Sequence, residues 1–270
     1  MTPKYLKTLE YDKILSRAAA CITCPEAKEM LLAQTAYETI DDMREGLSRT
    51  NTMTSLLIKN GSPRFSGVEK VENVVQRAVK GGVLSMGELL LIGYTLRNFQ
   101  NLIAWYGISE HADLPLDDLF YAMTPQPSLE KNIFESILSE TEMADTASDA
   151  LYDIRRKIRA AENAIRDKLD GIVKSQATSK YLQDAVVSIR NGRFVVPVKS
   201  EYRGEVGGII HDVSSSGSTL FVEPTAVVEG NAKILQLRNQ EQAEIERILS
   251  AFSGAVAALE PMFSYGYAAM

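Results

Sequence analysis

Four basic side chains, Arg190, Arg193, Lys199 and Arg203, fall around one short segment of this 270-residue chain. Shortly after them comes Ser214-Ser215-Ser216-Gly217-Ser218, a run of hydroxyls and backbone donors. Arg, Lys, Ser and main-chain N–H groups are what position a nucleic-acid backbone. Each phosphate neutralised adds a salt-dependent term to affinity. The candidate nucleic-acid contacts are therefore Arg190, Asn191, Arg193, Lys199, Arg203, Ser214, Ser215, Ser216 and Ser218. A basic hairpin has a second use, since charge on an edge strand blocks aggregation through that edge. Residue chemistry alone leaves both readings open.

Other chemistries find weaker footing. His211-Asp212 beside the serines could form a base and a nucleophile, but a hydrolase also needs an oxyanion hole and a fixed third group. Strand neighbours point to opposite faces, which keeps His211 and Asp212 from cooperating. Cys21-Ile22-Thr23-Cys24 has CxxC spacing, yet zinc takes four ligands and no second cysteine pair exists. A redox role would need a thioredoxin-like βαβ setting. No glycine is followed by lysine, which excludes a phosphate-binding loop. No GxGxxG or HExxH is present, and the two histidines, His111 and His211, are far apart in sequence. No catalytic residue, metal or cofactor is expected in this chain.

Charge points to the same segment. The net charge is −6. Residues 151–205 carry 12 basic and 7 acidic side chains, a net of +5, between flanks of net −7 and −4. One basic block between acidic flanks marks a surface for a polyanion, or a solvated helix face. No apolar run approaches a membrane span, and the first residues lack a signal-peptide core. Two cysteines fit a reducing, cytoplasmic setting.

The elements that would position these groups read as mainly helical. Leu6, Leu9, Ile14 and Leu15 form one stripe, and residues 39–58 another. Residues 68–79 predict a short helix closed by Gly81-Gly82, and Ser85-Met86-Gly87-Glu88 a capping box opening a helix to about Trp105. Residues 107–128 read as a connection, and 128–139 as a further helix. Leu151, Ile154, Ile158, Ala161, Ile165, Leu169 and Ile172 follow a heptad rhythm. A second seam, Asn231, Leu235, Arg238, Gln242, Ile245, Leu249, Phe252, Val256 and Leu259, is polar in its first half, which predicts a loosely zipped outer stalk. Helices of roughly 35–50 Å, joined through a compact insert, should pair antiparallel. The insert, Asp184–Pro224, reads as β. Asn191-Gly192 between two β-rich runs is a two-residue hairpin signal. Pro197 argues that its strand lies partly at an edge. Gly208–Val213 and Thr219–Val222 form a second hairpin around the Ser/Gly turn.

The wording Arg190-Asn191-Gly192-Arg193-Phe194-Val195-Val196-Pro197-Val198-Lys199, followed by Gly208 through Pro224, resembles the clamp of the MutS family, in its second bacterial subfamily. Leu6 through Leu15 is similar to that subfamily's opening. The resemblance implies a helical core at 1–147, a first lever helix at 148–180, a β clamp at 181–224, a second lever helix at 225–262 and a junction at 263–270. It implies an antiparallel coiled-coil lever with the clamp at its tip. ATP and Mg would belong to an ATPase domain, and nicking to an Smr domain, neither expected within these residues. The partners implied are DNA, branched or duplex, ribosomes or ribosomal RNA, and a second copy as a homodimer; no membrane is expected. The implied roles are recombination and repair control, or rescue of collided ribosomes, against the plainer alternative of a structural dimerisation arm. Phe221-Val222-Glu223 matches the letters of the mismatch-reading motif, but at the end of a predicted strand, which does not support mismatch specificity.

Overall fold

The computed structural model describes residues 3–22, 24–64, 69–108 and 113–270. Thr23 of the CxxC, the start of the helix expected from Val68, and residues 109–112 of the expected connection, with His111, lie outside them. The fold is mainly α with small antiparallel sheets. Two compact units divide the chain, residues 1–142 with 250–270 and residues 143–249. Among the described residues no single helix is long and apolar enough to cross a membrane.

The first unit holds α1 (Pro3–Thr8), α2 (Tyr11–Ala19), α3 (Pro25–Leu32), α4 (Ile40–Asn60), α5 (Glu72–Val79), α6 (Met86–Tyr106), α7 (Asp117–Ala122), α8 (Pro127–Ser136) and β1 (Ile137–Ser139), with β2 (Glu142–Met143) at its limit. Its core is built on α6. The Ser85–Glu88 capping box forms as expected, and Leu89, Ile92, Leu96 and Phe99 are fully buried. The helix ends where Tyr106 stacks on Phe120 and donates its hydroxyl to Asp117 at 2.7 Å. That contact accounts for α7, a helix inside the expected 107–128 connection; six residues are held by packing, not by propensity. Two further expectations shift. The stripe at 6–15 is divided because Glu10 adopts a positive φ of 58°. The helix expected to reach Ser139 stops at Ser136, where β-branched Ile137 turns extended.

The second unit begins with α9 (Asp149–Lys174), capped by Ser148. Ser175 is extended and recaps the short α10 (Gln176–Ser179), so the expected helix to residue 180 is broken. After the sheet comes α11 (Thr225–Ala258), assigned to the second unit up to Leu249 and to the first from Ser250. Leu259 interrupts the expected run to 262, and α12 (Glu260–Ala269) restarts with Pro261 in its first turn, where no N–H is missed.

Within the second unit α9 and α11 lie antiparallel. Ser148 Oγ donates to Glu244 at 2.7 Å, Arg155 Nε to Glu241 at 2.6 Å, Arg238 to Glu162 at 2.9 Å, and Lys168 reaches the Ala226 carbonyl at 3.5 Å. Numbers rise on one helix as they fall on the other. The α9 seam is as expected, buried or half-buried throughout. The α11 seam is as expected only in part: Asn231 and Val256 are buried and Ile245, Leu249, Phe252 and Leu259 half-buried, but Leu235 is 52 % exposed, Arg238 and Gln242 face solvent, and Val227, Ile234, Leu237 and Ile248 are buried instead. Polar residues at the true seam positions, Glu241 and Glu244, disguised the register. The apolar stretch is the one next to the sheet and the ionic stretch lies farther along, the reverse of a loosely zipped outer end.

The sheet contains β3 (Ser188–Arg190), β4 (Arg193–Lys199), β5 (Gly208–Val213) and β6 (Thr219–Pro224), in the order β3-β4-β6-β5 and antiparallel throughout. Val196, Val198, Leu220 and Val222 pack with Ile165, Leu169 and Val173 of α9 and Val227 and Ile234 of α11. β4 is an inner strand between β3 and β6, and only at Pro197 is it partly an edge, as expected. The Pro197 carbonyl accepts from Gln183 at 2.9 Å, so its missing donor faces the same side, beyond the end of β3, where only the Leu182–Val198 bridge continues the pairing.

Candidate nucleic-acid interface

The first hairpin turns as its sequence requires. Asn191 and Gly192 take positive φ values of 50° and 73°. Ser188, Ile189 and Arg190 then face Val195, Phe194 and Arg193. The hairpin's polar groups reach β5 and β6. Arg190 lies over the Phe221 ring at 4.0 Å and pairs with Asp212 at 3.3 Å. Asn191 Nδ2 donates to the His211 carbonyl at 3.2 Å. Arg193 donates to both carboxylate oxygens of Glu223 at 3.0 and 3.2 Å.

Glu223 is 0 % exposed and is the hub of this network. It also meets His211 Nε2 and accepts from Asn231 Nδ2 at 2.8 Å. Burial pushes its carboxyl up, but the bonds from Asn231, His211 and Arg193 and the Arg193 charge outweigh that and hold it below the usual range. A carboxylate so enclosed cannot reach a base, and Phe221 lies beneath Arg190. The Phe221-Val222-Glu223 letters are structural here.

His211 and Asp212 depart from strict alternation. The register shifts between Ile210 and Asp212, a β-bulge. Through it His211 reaches Glu223 and Asp212 reaches Arg190, which itself covers Phe221; Phe221 and Glu223 share a face of β6. The alternation argument fails locally, yet His211 is engaged by Glu223 and not by a serine.

The predicted contacts therefore divide into two groups. Arg190, Asn191 and Arg193 gather over Phe221 and Glu223, with their charges paired inside the unit. Lys199 and the serines gather at the other end of β4 and β6, where Lys199 registers with Thr219 and Ser200 N donates to the Ser218 carbonyl at 2.9 Å, and Arg203 follows at the end of the 3₁₀ turn Ser200–Tyr202. The turn is ordered by its own bonds. Ser214 Oγ accepts from Thr219 N at 3.0 Å, and the hydroxyls of Ser216 and Ser218 lie 2.8 Å apart. Ser215 and Arg203 are exposed. Lys199 Nζ reaches the Lys180 carbonyl at 3.4 Å and lies 6.0 Å from the Tyr202 ring centre.

Sequence reasoning missed Asn231, Glu223, Lys180, Tyr181 and Tyr202 as members of these groups. A polar residue in an apolar helix stripe, Asn231, was the one available signal; the tyrosines come together only through strand pairing.

No family model matches the chain. Proteins named endonuclease MutS2 are similar to it. One from Clostridium perfringens strain SM101 is 40% identical over 258 residues, 95% of this chain and 33% of its own length. One from Clostridioides difficile strain 630 is 41% identical over 262 residues, 95% of this chain and 33% of its own. One from Ruminiclostridium cellulolyticum is 40% identical over 258 residues, 94% of this chain and 32% of its own. The chain spans about a third of the length of these curated relatives. With some four in ten residues matched along nearly its whole length, the chain belongs, across that third, to the MutS family as a homologue of the endonuclease MutS2 proteins.

Proposed function

We propose that residues 181–224 form a non-catalytic nucleic-acid clamp, carried by the antiparallel pair α9 and α11, and that this chain serves DNA repair or recombination control through it. The observation that supports this most is the end of the sheet where Lys199 and Ser200 adjoin the Ser214–Ser218 turn, with exposed Arg203 closing the 3₁₀ turn that follows. Those cations are not consumed by buried carboxylates, whereas Arg193 is. Endonuclease is the printed name of longer proteins. We place neither nuclease nor nucleotide chemistry on these residues, because His211 serves Glu223 and the turn serines bond one another.

The test is a titration of this chain with duplex and branched DNA over a salt series. Lys199→Ala with Arg203→Ala should weaken binding to every sequence and flatten the salt slope by about 2, near 0.9 per lost phosphate contact. Unchanged affinity and slope would remove both residues from the site. Ribosomes added as competitor decide the target: displacement of DNA at far lower concentration than free RNA needs would move the assignment to the ribosome. Arg193→Ala is unsuitable as a probe of binding, since it strips Glu223 of its cation.

A further inference from the structure

We propose that Tyr181 and Tyr202 form a stacking platform for an unpaired nucleobase, with Lys180, Lys199 and Arg203 holding the flanking phosphates. This rests on the reading of residues 181–224 as nucleic-acid-binding and gives that site its ligand preference.

The two rings meet at 5.2 Å between centres, tilted by 54°. Strand pairing brings them together: Lys199 N donates to the Tyr181 carbonyl at 3.0 Å, and Tyr202 follows in the 3₁₀ turn Ser200–Tyr202. Both rings are half-buried, with one side packed on the sheet core, so their positions are fixed. Lys180 Nζ lies 4.7 Å from the Tyr181 ring centre, and Lys199 Nζ 6.0 Å from that of Tyr202. Each ammonium ends a flexible four-carbon stem. It can swing outward to a phosphate and leave the ring face to a base. Arg203 is exposed beside them, and Ser218 is tied to Ser200.

Charge alone would make this a poor duplex site. The patch also carries exposed Glu201 and Glu205, so its net charge is only +1. A continuous duplex offers it phosphates and no ring faces. A strand with an unpaired base adds aromatic stacking, which every base can supply and which is worth about tenfold per base. A gap, junction or single strand is therefore the expected ligand class.

Fluorescence anisotropy of this chain with a continuous DNA duplex, and with the same duplex holding a short unpaired gap, tests the idea. The gapped probe should bind about tenfold more tightly. Tyr202→Leu, which keeps apolar packing, should abolish that preference; Tyr202→Phe should retain it. Equal affinity of the unaltered chain for both probes, or a preference that survives Tyr202→Leu, overturns the platform. A readout without variants is a fluorescent base analogue in the gap, quenched on stacking; unchanged emission at saturation also overturns it. Failure of both probes to bind at low salt would instead sink the nucleic-acid reading itself, and the platform with it.

Discussion

The side chain of Asn231 brackets the backbone of Phe194. The Phe194 amide donates to Oδ1 at 3.0 Å, and Nδ2 donates back to the Phe194 carbonyl at 3.1 Å. Nδ2 also reaches Glu223 at 2.8 Å. One buried carboxamide thus ties the start of β4 and the end of β6 to α11. A buried polar group with all its bonds made fixes a single arrangement of its neighbours.

Asn231→Leu should therefore cost more than its volume change. It leaves the Phe194 amide and carbonyl without partners in a dry site, for a loss of about 3 kcal/mol. Hydrogen exchange should show the amides of β3 and β4 losing protection while α6 keeps its own. Unchanged protection in the hairpin would mean that packing alone holds it.

Glu223→Gln removes the charge that balances Arg193, which is 27 % exposed in its side chain. A loss of about 2 kcal/mol at neutral pH is expected, below that of a wholly buried pair because Arg193 retains water contact. The pH dependence has a fixed sign. The folded carboxyl sits below its ordinary value of 4.5, so its contribution is complete above that value and is lost as pH falls through the folded one. Urea midpoints of the two proteins should converge on acidification and separate on return to neutral pH. A difference independent of pH would assign the effect to shape, not to charge.

Arg155 sits in the ionic part of the helix pair. It donates to the Met143 carbonyl and Asp145, both at 2.7 Å, and to Glu241 at 2.6 Å. Bonds from Arg155 and Arg159 hold the Asp145 carboxyl below its usual range. Glu244, held by Arg247 and Ser148, is pulled down to about 2. Arg155→Met should cost about 2 kcal/mol, since three acceptors lose a charged donor at once. The second unit should also weaken progressively as pH drops from 4.5 toward 2. Circular dichroism at fixed urea would follow it; a flat acid profile contradicts the assignment.

Gly266→Ala addresses the first unit. A Cβ there would stand 2.7 Å from the ring of Phe99, which is fully buried against Phe263. The ring cannot retreat, and a loss of about 1–3 kcal/mol is expected. Gly254→Ala, where nothing lies within 4 Å, is the control and should be neutral or slightly stabilising. Equal melting behaviour of the two variants would refute the close contact.

Local codes were the legible part of this protein. The Ser85–Glu88 box, the Asn191-Gly192 turn and the α9 seam each depend on residues a few positions apart, and each formed as read. So did the division of the insert into two hairpins, because a turn type is set by its own few residues. Helix α7 was hidden because Tyr106, distant in sequence from most of it, supplies the stacking that holds Phe120. The α11 seam was misread at Leu235, Arg238 and Gln242 because its inward positions there include Glu241 and Glu244, whose partners are Arg155 and Ser148 of α9 and its cap.

The sequence by itself determined which residues could meet a phosphate: the arginines and lysines of residues 190–203 and the serines that follow. Only the tertiary structure decided which of them meet a carboxylate. Strand pairing sent Arg190 and Arg193 to Asp212 and Glu223, and left Lys199 and Arg203 beside Tyr181 and Tyr202. The reason is electrostatic. A cation's chain position says nothing about the carboxylate that register and a bulge bring to it: Arg193 meets the buried Glu223, whereas Arg190 pairs with an exposed Asp212 and stays 41 % exposed itself.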